Sequence, residues 1–224
     1  QTFTATRATY TRRFTQGGDG ATGWTTIIIP FDVKEIKVGD RTIDWFHSSS
    51  DSGKQFWLKT FSSDDSNGVT FDYTDRIEAN TPYIICVPND KWGEEWDLTN
   101  KDITFVGEDV MLQANAVANL NGDYFRFVSQ TVTSDVTNLY AINAVGDAFE
   151  LTTSATVAPF RAYFKSVGNN SATRLPISPE TTVPTAIAEV KTTLTDNTIH
   201  TLDGRQVTTM QRGIYIVNGK KIIK

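Results

Sequence analysis

Cysteine is almost absent. Cys86 is the only one, so no disulfide can close within the chain. Histidine is nearly as scarce, with His47 and His200 alone. That inventory cannot build a zinc site of the usual nitrogen and sulfur donors, and it leaves a cysteine–histidine enzyme short of partners. Cys86 lies inside Ile84-Ile85-Cys86-Val87-Pro88. A reactive thiol needs exposure and a positive neighbourhood, so this apolar setting predicts a buried, inert one. Long apolar runs are missing too: the longest, 27–29 and 84–87, are strand-sized, and no membrane span is expected. The net charge is −5, which removes the basic surface that nucleic acid requires. No segment sustains a helical period between caps. No initiator Met and no signal peptide are seen; Gln1 runs straight into strand-like sequence, and the expectation is a trimmed, mature chain.

What the sequence does have is strand followed by turn, repeated. Segments 2–14, 24–33, 41–47, 55–61, 69–73, 81–87, 103–106, 110–117, 124–128, 139–144, 148–152 and 159–165 are rich in β-branched and aromatic residues and recur at sandwich spacing. Segment 81–87 is apolar at nearly every position, the mark of a strand covered on both faces. The expected fold is all-β: an antiparallel β-sandwich, jelly-roll-like or Ig-like, over 1–175. Ile27, Ile29, Tyr83, Ile85, Phe160 and Tyr163 are its predicted core. A proline-rich linker follows at 176–186, because prolines at 176, 179 and 184 cannot sit in a central strand. A small β-meander closes the chain at 187–224. That last segment carries six Lys or Arg against three Asp or Glu, which leaves −8 for 1–186. An acidic body with a basic appendage fits a modular chain.

Four places invite a chemical reading. His47 sits in Trp45-Phe46-His47-Ser48-Ser49-Ser50-Asp51, but strand neighbours point to opposite faces, and a Ser–His–Asp triad is assembled from separated elements. Asp64-Asp65-Ser66-Asn67-Gly68 carries oxygen ligands, yet its spacing is not that of a calcium loop; it reads as a solvated acidic turn. Glu94 and Glu95 are adjacent, whereas a glycosidase pair flanks the scissile bond from opposite sides. Trp92-Gly93-Glu94-Glu95-Trp96 is the most suggestive stretch. Indoles four apart share a face on a helical turn, and Trp92 and Trp96, with Trp45, form a candidate glycan platform. The competing reading, favoured on the average burial of tryptophan, makes Trp92 and Trp96 a cap on one end of the core. No catalytic, metal or cofactor residues are assigned.

The tail has turn dipeptides at Asp203-Gly204 and Asn218-Gly219 between short apolar runs. Its Gly204, Arg205, Gly213, Tyr215, Gly219, Lys220, Lys221 and Lys224 resemble the C-terminal sorting domain of type IX secretion (Por) cargo from Gram-negative gut and oral anaerobes. In the body, Tyr10-Thr11-Arg12-Arg13-Phe14, the run 24–33, Ala79-Asn80-Thr81-Pro82-Tyr83-Ile84-Ile85 and Pro159-Phe160-Arg161-Ala162-Tyr163-Phe164 resemble a domain of large surface proteins from the same anaerobes, often found beside leucine-rich repeats. The resemblance implies an address and a structural scaffold, not an activity. It implies location outside the outer membrane and an export or anchoring machine as a partner. Only 187–224 follow the linker, fewer residues than a full-length sorting domain has. The expectation is therefore a non-enzymatic secreted or cell-surface module of adhesion type, meeting glycans or host surface proteins. A carbohydrate-binding module is the first alternative and a hydrolase accessory domain the second.

Overall fold

The computed structural model describes residues 2–113 and 116–177 in full and, beyond them, the backbone of four strands within 199–223. The chain divides into two compact units, Gln1–Thr181 and Thr182–Lys224. Among the described residues there is no α-helix.

The first unit holds three sheets, its strands numbered in chain order. One sheet contains β1 (Thr2–Arg13), β9 (Asp102–Gln113), β3 (Glu35–Val38) and β4 (Arg41–Ile43), in the order β1-β9-β3-β4 and antiparallel throughout. The middle sheet contains β2 (Thr25–Ile28), β8 (Pro82–Cys86), β6 (Phe56–Asp64) and β5 (Trp45–Phe46), with β7 (Val69–Tyr73) also on β6. Here β5 and β6 are parallel and the other pairs antiparallel. The third sheet runs β10 (Leu120–Asn121), β11 (Phe125–Gln130), β14 (Arg161–Ser166), β12 (Ser134–Ile142), β13 (Ala148–Val157), β15 (Arg174–Pro176).

Side chains alternate across a strand, and in the middle sheet both faces are apolar. Ile27, Ile29, Leu58, Tyr83 and Ile85 enter one core with Ile36, Ile103 and Phe105 of the first sheet. Ile28, Phe61, Phe71, Ile84 and Cys86 enter a second core with Phe125, Phe127, Phe149 and Phe164 of the third. The sequence-predicted all-β antiparallel body is therefore present, with a third layer added to the sandwich. The aromatic second core is densely paired: Phe127 and Phe164 stack at 4.4 Å, and Phe149 meets Phe164 edge-on at 4.9 Å. A buried hydrogen bond from the Ala162 amide to Thr26 Oγ1 (3.0 Å) stitches β2 to β14.

Of the predicted core, Ile27, Ile29, Tyr83 and Ile85 are buried as expected. Tyr163 is buried in a small cluster with Val136, Leu139 and Val157, apart from both main cores. Phe160 is only half-buried. It occupies the turn before β14 with φ 57°, a left-handed conformation that is rare for an aromatic residue, and leans edge-on against Tyr10 at 5.2 Å. Asn80 takes the same region, φ 62°, at the Asn-Thr-Pro turn, its amide bonded to the Ile29 carbonyl.

The body extends further than the sequence suggested. Pro176 ends β15 and Ile177 is buried in the second core. An edge strand tolerates proline because its outward side needs no ladder donor. The rest of the predicted linker, 178–186, lies outside the described residues. In the second unit β16 (Ile199–Thr201), β17 (Gln206–Val207), β18 (Ile214–Val217) and β19 (Lys220–Ile223) form one antiparallel sheet in the order β17-β16-β18-β19. Val217 faces Lys220, the register that a two-residue Asn-Gly connection demands. His200 faces Gln206 and Ile199 faces Val207, one residue out of the register of a two-residue Asp203-Gly204 hairpin, which would set Thr201 opposite Gln206.

Candidate functional site: an aromatic groove at the edge of the middle sheet

Two aromatic dipeptides build the site. Trp45-Phe46 is β5 and Phe56-Trp57 opens β6; parallel pairing sets Trp45 beside Phe56 and Phe46 beside Trp57. Neighbours on a strand face opposite ways. One pair, Trp45 and Phe56, therefore turns into the first core, and the other, Phe46 and Trp57, turns away from it. The Phe46 and Trp57 rings stack at 5.5 Å and 11°.

The connection after β8 supplies the other wall. Asn89 accepts a hydrogen bond from the Lys91 amide and caps a 3-10 turn, Asp90–Trp92. Gly93, at φ 107°, ends it, and the Trp96 amide bonds back to the Gly93 carbonyl at 3.0 Å. This turn brings Trp92 edge-on to Trp57 at 5.1 Å and 66°. The result is a groove of about 260 Å³ lined by Phe46, Trp57, Trp92, Trp96 and Pro88, with Gly53, Lys54 and Gln55 at its rim. Trp92 is 48% exposed and Trp96 half-buried. Trp92 thus stands in neither core, contrary to the core-cap reading. Trp45 is not part of the groove: it is 9% exposed, and its indole N–H donates to the Thr74 carbonyl at 2.7 Å.

The rim is a polar loop, 47–55. Asp44 accepts from the Trp45 amide (2.9 Å) and from Lys54 Nζ, and its Oδ1 meets His47 Nε2 at 3.2 Å. Burial pushes the Asp44 carboxyl up. The Lys54 hydrogen bond, the Trp45 amide and the neighbouring His47 outweigh that and hold it below the ordinary carboxylate range. The same bond raises Lys54. Asp51 accepts from the His47 amide at 2.7 Å and from Ser48 Oγ at 3.0 Å, and its carboxyl is lowered by the first and then the second of these. So His47 pairs with Asp44 and Ser48 with Asp51; the hydroxyl and the imidazole are not partners. These bonds shape a loop and make no nucleophile–base pair.

The other sequence candidates resolve as structure. Cys86 is fully buried, donates to the Thr22 carbonyl at 3.2 Å, and burial pushes its thiol up to about 12. Asp64 is not a solvated turn residue. Its carboxylate accepts the backbone N–H groups of Asp123 (2.9 Å), Tyr124 (3.0 Å) and Phe125 (2.6 Å), clasping β6 to the β10–β11 hairpin. Asp65 caps its own turn through the amides of Asn67 and Gly68. Among the described residues no group of three or more His, Cys, Asp or Glu side chains is gathered for a metal. Of the tail residues, Tyr215 lies in β18 and Lys220 and Lys221 in β19. Gly204, Arg205, Gly213, Gly219 and Lys224 lie outside the described residues.

Sequence reasoning missed Phe46 and Trp57. The signal was there: two aromatic dipeptides on neighbouring strands cannot both send all four rings into one core. Comparison of the chain with models of known protein families, with curated proteins and with solved structures yields no match.

Proposed function

We propose that this chain is a non-catalytic, exported binding module of adhesion type that contacts carbohydrate through the aromatic groove, its C-terminal unit serving as the address for an outer-membrane export or anchoring machine. One observation carries the ligand reading: four aromatic residues converge from β5, β6 and the 90–96 connection on a groove open to solvent, Trp92 with half its surface free. Indole faces stack on the apolar faces of sugar rings while their edges donate hydrogen bonds. A large ring held out of both cores gains nothing for folding by being there, and exposed aromatic patches mark binding sites. The address reading rests on the tail's resemblance to sorting domains.

The ligand reading is tested by tryptophan fluorescence of the full chain against a panel of soluble oligosaccharides, neutral and acidic. At least one changes the emission, and Trp92→Ala abolishes the change with the thermal midpoint preserved. A panel without response, or a response that survives Trp92→Ala, overturns it. The address is tested in a Gram-negative host with a type IX system. Deleting 182–224 leaves the body folded and retained inside the outer membrane; a deleted chain that still reaches the surface refutes the assignment.

A further inference from the structure

The groove is walled by carbon. Phe46, Trp57, Trp92, Trp96 and Pro88 turn ring surface into it, and hardly a polar atom faces the space they enclose. The polar groups at the rim are already engaged. Gln55 Oε1 accepts the Asp44 amide at 2.8 Å, and its Nε2 donates to the Gly53 carbonyl at 3.2 Å. The Pro88 carbonyl accepts from the Leu98 amide at 3.1 Å. Lys54 is the one charged side chain in the lining. It is paired with Asp44, and the Asp51 carboxylate is close enough to raise it further. The rim therefore offers a ligand no unmatched charge.

A hydroxyl pressed against such a surface gives up its water and gains no partner. A charged group loses more. The part of a sugar that enters must be apolar. Trp57 and Trp92 meet edge to face at 5.1 Å, ring against ring, so nothing slides between them, and a ligand lies in the groove beside that contact. The groove holds about 260 Å³, under the ~300–1,000 Å³ of pockets that enclose drug-sized molecules. Its scale is one end of one sugar residue. An ordinary hexose has a hydroxymethyl group at C6, with an O–H to satisfy. A 6-deoxyhexose has a methyl group there, which needs only contact and shelter from water. The methyl of an acetamido group matches less well, because it is bonded to a carbonyl that the groove leaves without a donor.

Resting on the carbohydrate reading above, we infer that the groove selects a neutral 6-deoxyhexose, its C6 methyl group set against the rings of Phe46, Trp57, Trp92 and Trp96 and its hydroxyls left in water. Recognition of this kind is driven by burial of carbon on carbon. The Asp44–Lys54 pair closes the rim without adding net charge to it.

The test uses two matched pairs of free sugars that differ only by the oxygen on C6: L-fucose against L-galactose, and L-rhamnose against L-mannose. The full chain is titrated by tryptophan fluorescence and studied by saturation-transfer NMR. A hydroxyl left without a partner costs about tenfold in affinity, so in at least one pair the deoxy sugar binds about tenfold tighter. Its C6 methyl protons receive the strongest saturation from the protein, and added salt does not weaken the complex. Trp92→Ala and Trp96→Ala each abolish the preference; Trp92→Ala is the variant expected to keep the thermal midpoint. A preference within one pair alone supports the inference and assigns the sugar. Pairs whose members bind equally, saturation centred on ring protons rather than the methyl, or a preference that survives both variants overturn the inference and leave the carbohydrate reading standing. Failure of all four sugars to bind overturns it too; whether the carbohydrate reading falls with it is decided separately by the oligosaccharide panel.

Discussion

Ile84 and Ile85 are consecutive residues that belong to different hydrophobic cores: Ile85 packs with Ile36 and Phe105 below the middle sheet, Ile84 with Phe125 and Phe164 above it. Each is fully buried. Replacing either with alanine removes the buried methyl groups and leaves a cavity, a loss of about 2–5 kcal/mol. Because the two cores share the middle sheet, neither melts alone. In urea, Ile84→Ala and Ile85→Ala each shift the midpoint of one common transition, seen identically by fluorescence and far-UV circular dichroism. Two separate transitions would show that the layers fold independently.

Asp64, half-buried at the end of β6, holds more than its own turn. Three backbone N–H groups converge on it, and Asp64→Ala leaves them to water or to nothing, at about 1–3 kcal/mol. Asp64→Asn fails similarly, since its amide turns donors toward donors. Gly122→Ala does comparable damage by another route: a Cβ there falls 2.2 Å from the Asp64 carboxylate. Thermal midpoints of the single and double variants check this; the double variant is no worse than Asp64→Ala alone if the clasp is one unit.

Cys86 gives a pH signature. Its thiol is raised in the fold, from 9.0 to about 12, because burial disfavours the thiolate. The unfolded chain releases that proton first. The contribution of Cys86 to stability is therefore complete below the unfolded pKa and is lost as pH climbs from about 9 toward about 12. Urea midpoints measured across pH 8–11 fall with a component that Cys86→Ala removes. At pH 8 a thiol reagent modifies the native protein only at the rate of opening, and urea accelerates it.

Trp57 and Trp92 separate stability from binding. Trp57 packs on the fringe of the second core, so Trp57→Ala lowers stability, by less than the ~3–5 kcal/mol of a fully buried tryptophan. Trp92→Ala stays within about 0.5 kcal/mol, the range of surface changes. Both variants lose the ligand-induced fluorescence change. Equal stability losses would place Trp92 in the core after all.

The parts legible in the sequence were those where one strand declares its own surroundings. The run Tyr83-Ile84-Ile85-Cys86 has no polar side to show water, and it lies between two layers. What covered each side was not legible, because periodicity within β2, β6 and β8 says that two faces are apolar and not which strands meet them. Trp92 and Trp96 were picked out by spacing, but through a helical turn; the chain uses a 3-10 turn and a Gly93 break to reach the same face. Trp45 misled because an aromatic dipeptide hides which ring goes in until its neighbour's register is known. Asp64 read as an ordinary acidic turn since its partners lie about sixty residues away.

The pairing of β1 with β9 sets a timetable. Arg13 and Asp102 are joined across 89 residues of chain, and every other rung of that ladder spans more. At synthesis rates of ~5–20 residues per second, β1 waits roughly 5–20 s for the strand it is to lie against. Local hairpins such as β6–β7 close while it waits, and long-range pairing of this kind is slow even in a finished chain. A lone strand is an aggregation hazard. This one is threonine-rich, with Arg7, Arg12 and Arg13 and no acidic residue, so its copies repel one another through the delay. The first sheet thus closes only once β9 has been made, later than the hairpin of the middle sheet that lies between its two long strands in sequence.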